Sequence, residues 1–234
     1  DEYTSFARGT DGSPALKLGP GLSLALSSDA KHALSMSPKD PTRLSLLSVG
    51  AGEPRPLTGP PGTENALFTP DGKAVILQAR EGEKRTVHRL DLASGASARL
   101  LEVDGETPTS RRGAPWAISM DGSRVAIQDV DGQVRAWPLD GKAPSPLVRL
   151  KPNEKILRYG ADGSILVGLL DRQSGYVDRV SLPAGARTRL HQIRMLDEAG
   201  VLFDPFLTAS QDGKAYAYSS SRFLNSLYLV SGLK

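Results

Sequence analysis

The residues best suited to chemistry in this chain of 234 residues are its spaced carboxylates, its three histidines and a few arginines. Asp29, Asp71, Asp121, Asp162 and Asp212 recur at intervals of 41 to 50 residues, each inside a short polar turn. Asp-rich turns can ligate calcium, but a calcium loop gathers several oxygen ligands into one loop, whereas here each repeat has one Asp. Capping of the turn, by side-chain to backbone hydrogen bonds, is the expected role. His32, His88 and His191 fall in three different repeats without ligand spacing, so they read as surface or hydrogen-bonded residues and not as zinc ligands or bases. The absence of cysteine removes disulfides and thiolate metal sites. Serine is abundant, yet there is no Gly-x-Ser-x-Gly elbow, no Gly-x-x-x-x-Gly-Lys phosphate loop and no Gly-x-Gly-x-x-Gly fingerprint. The expectation is a protein that is not an enzyme, with no cofactor and no metal.

What those aspartates punctuate is more telling than the aspartates themselves. Each turn joins two apolar segments: Ser27–Lys31, Thr69–Lys73, Ser119–Ser123, Gly160–Ser164 and Ser210–Lys214 are the five turns. The segments after them read His32–Met36, Ala74–Leu77, Arg124–Ile127, Ile165–Val167 and Ala215–Tyr218. A third segment follows in every repeat (Leu44–Leu47, Val87–Leu90, Val134–Trp137, Val177–Val180, Leu227–Val230), alternating apolar and polar residues as half-buried strands do. A glycine-containing turn then leads to a fourth segment ending near Leu57, Leu100, Leu147 and Leu190. Four short strands per period of 40 to 50 residues predict an all-β fold, a β-propeller of four-stranded antiparallel blades. Trp116, Trp137, Tyr216 and Tyr228 sit on predicted strands and are expected to pack between blades. No sustained 3.6-residue period occurs, so essentially no helix is expected.

Four of the turns place glycine after the Asp, at Gly72, Gly122, Gly163 and Gly213, and the first places Ala30 there. That position commonly needs positive φ, which glycine alone adopts without a Cβ clash. Ala30 is therefore expected to be strained, or its turn to be built differently.

The chain begins and ends in mid-blade: residues 3–18 match third and fourth strands, while residues 205–230 supply first, second and third. Two arrangements stay open, a five-bladed ring closed by its own ends or a longer ring with more blades upstream; the second is favoured because the two ends overlap in the third strand. The first residue is Asp1, not Met, so the chain reads as a piece of a longer protein, with a mature protein after signal cleavage as the alternative. The expected organisation is a single propeller domain over 1–234, with an outer half-blade 1–19 and blades about 22–62, 63–105, 106–153, 154–196 and 197–234. That is about five blades, standing alone or as a fragment of a six- or seven-bladed ring. Basic and acidic residues nearly balance, 29 against 26, and no concentrated basic patch suggests a nucleic-acid partner. No apolar run approaches the roughly 18 to 20 residues that would cross a bilayer, so no membrane insertion by this segment is expected.

The spelling of the repeats, Thr69-Pro70-Asp71-Gly72-Lys73 above all, resembles the TolB-type, WD-like propeller repeats of bacteria. Asp212–Ser219 followed by Leu227–Lys234 resembles the C-terminus of propeller sensor regions appended to bacterial serine/threonine protein kinases, and Thr10–Gly19 and Gly52–Thr58 resemble their blade segments. Ser28, Ala30 and Ser231 depart from the pattern, which prefers Pro, Gly and an acidic residue there, and suggest a weaker first blade. No kinase motif occurs in the chain itself. The resemblance implies a non-catalytic binding or sensing module, the extracytoplasmic C-terminal part of a larger signalling protein. A periplasmic TolB-like protein-interaction scaffold in cell-envelope maintenance is the alternative, and an enzyme the third. A periplasmic or extracytoplasmic location is implied, with a cytoplasmic one open. The partner, a protein or small-molecule ligand, is expected on the face carrying the loops between blades and between second and third strands, at one mouth of the channel. The residues expected there are Arg80, Arg111, Arg112, Arg172 and Arg222.

Overall fold

The computed structural model describes residues 3–103, 115–171, 174–194, 201–202, 206–219 and 221–222. Every regular element among them is a β-strand. The chain divides into two compact units, Asp1–Arg149 and Leu150–Lys234.

In the first unit a hairpin, β1 (Thr4–Ala7) with β2 (Leu16–Pro20), precedes three four-stranded antiparallel sheets. These are β3 (Leu22–Leu26), β4 (His32–Met36), β5 (Arg43–Ser48) and β6 (Arg55–Thr58); then β7 (Thr63–Phe68), β8 (Ala74–Glu81), β9 (Lys84–Asp91) and β10 (Ser97–Val103); then β11 (Trp116–Ile118), β12 (Arg124–Gln128), β13 (Gln133–Pro138) and β14 (Ser145–Arg149). The second unit carries β15 (Lys155–Tyr159), β16 (Ile165–Leu170), β17 (Ser174–Val180) and β18 (Arg187–Arg194) in the same order, followed by β19 (Val201–Leu202), β20 (Leu207–Ala209), β21 (Tyr216–Tyr218) and β22 (Ser221–Arg222). The last four pair as β20–β21 and β19–β22. Each complete sheet is a meander in chain order, as a propeller blade requires. The expected third strand at Leu227–Val230, with Tyr228, lies outside the described residues.

The second strand of each four-stranded sheet is buried on both faces. In β8, Val75 and Leu77 join Leu34, Met36 and Leu44 of the preceding sheet, while Ile76 joins Val125, Ile127 and the two tryptophans Trp116 and Trp137 of the next. This explains why the segment is uniformly apolar where its neighbours alternate. In the second unit Leu166, Val177 and Ile193 pack against Ala209. Trp116 and Trp137 are buried as expected, but Tyr216 is 37% exposed, its ring against His191 and Tyr218 and not in the core.

The first sheet's fourth strand ends at Thr58, beside the expected Leu57, but the other three run past the leucines expected near their ends, because those leucines are bulges. Leu100, Leu147 and Leu190 are each skipped in the pairing with the third strand, and Leu18 likewise in β2. A bulge redirects a side chain without ending the strand. Leu100 and Leu190 are thereby packed onto neighbouring cores.

Four of the five turns share one hydrogen-bond scheme. In the first, Ser27 Oγ donates to Asp29 Oδ1 at 2.6 Å, the Lys31 amide donates to the same oxygen at 3.0 Å, and the His32 amide donates to Ser27 Oγ at 2.9 Å. Thr69, Ser119 and Ser210 play the part of Ser27 for Asp71, Asp121 and Asp212. The fourth turn has Gly160 there, and Ser164 supplies the hydroxyl to Asp162 instead. Those bonds hold the carboxylates below their ordinary range, Asp121 to about 2, the Ser119 hydroxyl bond being the largest cause. Ala30 adopts φ 56°, beside 67°, 68°, 78° and 72° for its four glycine counterparts, so the first turn is built like the rest and the alanine is left-handed.

Two stability predictions follow from these contacts. Ala30→Gly should raise the urea midpoint, by at most about 1 kcal/mol once glycine's extra unfolded-state freedom is subtracted; a lowered midpoint would mean that the turn is not under strain. Leu77→Ala should cost about 2–5 kcal/mol, since it empties a site closed on every side.

Candidate functional site

In three of the four-stranded sheets the first strand also carries a bulge. In β3 the skipped residue is Leu24 and in β15 it is Leu157, both packed on apolar clusters. In β7 the residue at this place is Glu64. A carboxylate in a leucine's position must find cations, and β8 and β9 supply two. Arg80 Nε donates to Glu64 Oε1 at 2.7 Å, and Arg85 NH2 stands 3.7 Å from Oε2. Arg80 and Arg85 are direct cross-strand partners, a like-charge pair that is unfavourable without an anion beside it. Arg85 is 4% exposed and Arg80 34%. Burial lowers the Arg85 pKa, Glu64 pulls it back up and Arg80 lowers it again.

The backbone under Arg80 is equally constrained. Its amide donates to Gly62 O at 2.9 Å, and a Cβ on Gly62, whose φ is +71°, would come within 2.1 Å of Arg80 O. Only glycine permits that approach.

The same two strands carry a second set of charges on their other face. Lys84 reaches Glu102 at 2.7 Å, Arg99 bridges Glu102 at 2.6 Å and Glu81 at 3.5 Å, and Thr86 donates to Glu81 at 3.3 Å. Beneath them His88 is buried with Nε2 3.0 Å from Thr86 Oγ1, and burial lowers its pKa, favouring the neutral ring.

A third polar cluster lies in the second unit. Glu154, fully buried, accepts from Arg187 NH1 and NH2 at 2.7 and 3.0 Å, from the Tyr176 hydroxyl at 2.8 Å and from the Lys151 amide at 2.7 Å. Asp178 accepts from Arg189, whose guanidinium lies 4.0 Å from the centre of the Tyr176 ring. Burial would raise the Glu154 pKa, but the Arg187, Lys151 and Tyr176 bonds outweigh it and hold the group below its ordinary value. Tyr176 is pushed up to about 12 by burial and by the Glu154 bond. With four bonds on its two carboxylate oxygens, Glu154 ties the entry of β15 to β17 and β18, a structural task.

Of the five arginines expected on a partner-binding face, the structure describes two, Arg80 with its side chain and Arg222 by its backbone alone. Arg80 lies inside β8 and not in a loop, because β8 and β9 run eight residues each and only Gly82 and Glu83 form the turn. Arg222 is likewise in a strand, β22, opposite Val201. Arg111, Arg112 and Arg172 lie outside the described residues. Glu64 and Arg85, missed from sequence, stand beside Arg80, and Glu64 accepts its Nε–H; the signal was an acidic residue where β3 and β15 have leucine. Of the histidines, His191 bonds Gly213 O at 2.7 Å, alongside Arg179 on Asp212 O at 3.0 Å. Among the described residues no group of three or more His, Asp or Glu is placed to hold a metal, and no helix is long and apolar enough to cross a membrane.

No family model matches the chain, and no curated protein matches it. Solved structures do. TolB from Acinetobacter baumannii superposes with a TM-score of 0.58 at 17% identity over 83% of this chain, and the match spans 51% of that protein. The putative TolB from Agrobacterium tumefaciens gives 0.60 at 16% identity, over 89% of this chain and 85% of that one. An oligogalacturonate lyase in complex with manganese gives 0.54 at 15% identity, over 85% and 59%. The chain thus spans about half the length of the first of these relatives. These likenesses show the fold, a β-propeller of the kind found in TolB.

Glu154→Ala should destabilise by about 3–5 kcal/mol in urea unfolding, since it strands the Arg187 guanidinium, whereas Glu154→Gln should cost less. Because Glu154 and the turn aspartates have depressed pKa values, their contribution is present above the unfolded values near 4 and lost as pH falls toward 2. An acid titration of the midpoint should show the decline confined to that window.

Proposed function

We propose that the chain is a non-catalytic protein-interaction propeller, a TolB-like scaffold of the cell envelope. The observation that carries this reading is the match to TolB propellers over as much as 89% of the chain. The turn geometry supports it: the Asp carboxylates that could have served as ligands or bases are committed to their own turn hydroxyls and amides. The lyase likeness is one of fold at 15% identity and does not bring its chemistry to this chain.

A second reading, the C-terminal sensor propeller of a serine/threonine kinase, is favoured by the spelling of Asp212–Ser219 and Leu227–Lys234. The complete reading frame separates the two. A kinase domain and a membrane helix upstream would support the sensor, a signal peptide and a small α/β domain the scaffold.

The scaffold reading is tested by crosslinking the tagged protein in its own cells, identifying the captured protein and reconstituting the pair from purified components. A stoichiometric complex from envelope fractions is expected. Failure of any captured protein to rebind in purified form, with turnover of an oligogalacturonate substrate by the chain itself, would overturn it.

A further inference from the structure

We propose that Arg80 is a preorganised carboxylate receptor, taking an Asp or Glu side chain of a protein partner; the proposal rests on the interaction-scaffold reading above. A guanidinium has five N–H donors in a rigid fork. Glu64 takes the Nε–H of Arg80, which leaves both terminal NH2 groups without a bond among the described residues, on a side chain 34% exposed. The backbone beneath is pinned by Gly62, so the fork is held at both ends of its side chain. Two terminal NH2 hydrogens pointing the same way match the two oxygens of a carboxylate.

The cost of this arrangement argues that it is kept for recognition. A leucine at the Glu64 position packs satisfactorily in two other sheets, as Leu24 and Leu157 do. A half-buried carboxylate facing two opposed arginines gives up that packing and needs desolvation of three charges. What it gains is a fixed guanidinium at the end of a hairpin.

The test uses the full chain and an acetylated, amidated peptide of alternating Glu and Gly, titrated at low ionic strength by calorimetry, with inorganic phosphate and a Lys-Gly peptide as separate arms. The Glu-Gly peptide should bind in preference to both. Arg80→Ala and Arg80→Lys should each weaken it by about tenfold, since lysine offers charge without a fork. Lys84→Ala, on the opposite face, should leave it unchanged. The sharpest variant is Glu64→Leu, which restores the residue type of the other sheets. It removes a negative charge, so simple attraction would tighten binding, whereas loss of the orienting bond weakens it. Weaker binding at an unchanged urea midpoint supports the proposal. If Glu64→Leu unfolds, Glu64→Ala carries the same comparison, since it too offers Arg80 Nε no acceptor. Equal or tighter binding by either variant, full binding by Arg80→Lys, tighter binding of phosphate, or no binding by the wild-type chain overturns it. If Arg80→Ala still forms the reconstituted complex at full affinity, this site falls and the scaffold reading stands; if no complex forms with wild-type protein, the scaffold reading falls.

Discussion

The burial of second strands on both faces is the constraint on which the rest of this structure depends. In β8, Ile76 and Leu77 are adjacent in sequence, fully buried, and belong to different apolar clusters. A strand with two covered faces cannot slip by one residue without exchanging its clusters, so register along the whole sheet follows from it. The turn that precedes it must then begin at one defined residue, and the hydroxyl–carboxylate–amide bracket around Asp71 does that. Burial and turn chemistry therefore specify the same hairpin from opposite ends, the consistency across levels that makes a repeat fold reliably.

Polar clusters in this fold are departures from that rule, and they fall into two kinds. Around Glu154 every acceptor is bonded and the charges are paired within one sheet and its entry loop, so the cluster closes on itself. Around Glu64 the arrangement is open: one carboxylate oxygen holds Arg80 through Nε, and its terminal nitrogens make no bond among the described residues. Strained or costly local arrangements are where function is commonly found. The two clusters thus differ in whether their charged groups are satisfied from within: the Glu154 carboxylate is, and the Arg80 guanidinium is bonded at Nε alone among the described residues.

A scaffold reading of the whole chain and a receptor reading of one arginine are compatible because propellers separate the two tasks. The apolar interiors of the sheets give a rigid frame, and the hairpin ends are free to vary without disturbing it. The second sheet shows this directly. Its central strands are eight residues long, where β4 and β12 have five, and the additional length carries Arg80, Glu81, Lys84 and Arg85. Its core positions match those of its neighbours, while its hairpin end differs from theirs.

The blade architecture, the turns and the Trp116 and Trp137 packing were legible in the residues, because they rest on local periodicity and on turn geometry that any chain obeys. Ala30 shows how far this reaches: four glycines at corresponding positions implied a left-handed backbone at the fifth, and φ there is 56°. The hydroxyl partners of the aspartates were within reach too, as Ser27, Thr69, Ser119 and Ser210 all stand two residues before their Asp. What only the tertiary structure decided is which charges meet. Glu64 lies 16 residues from Arg80 and 21 from Arg85, and they converge because a bulge rotates one side chain and strand pairing brings the other two opposite each other. Leu100, Leu147 and Leu190 looked like strand ends and are bulges for the same reason. Periodicity encodes the strands themselves, but a one-residue irregularity in pairing changes which side chains face each other, and that is settled by packing across sheets.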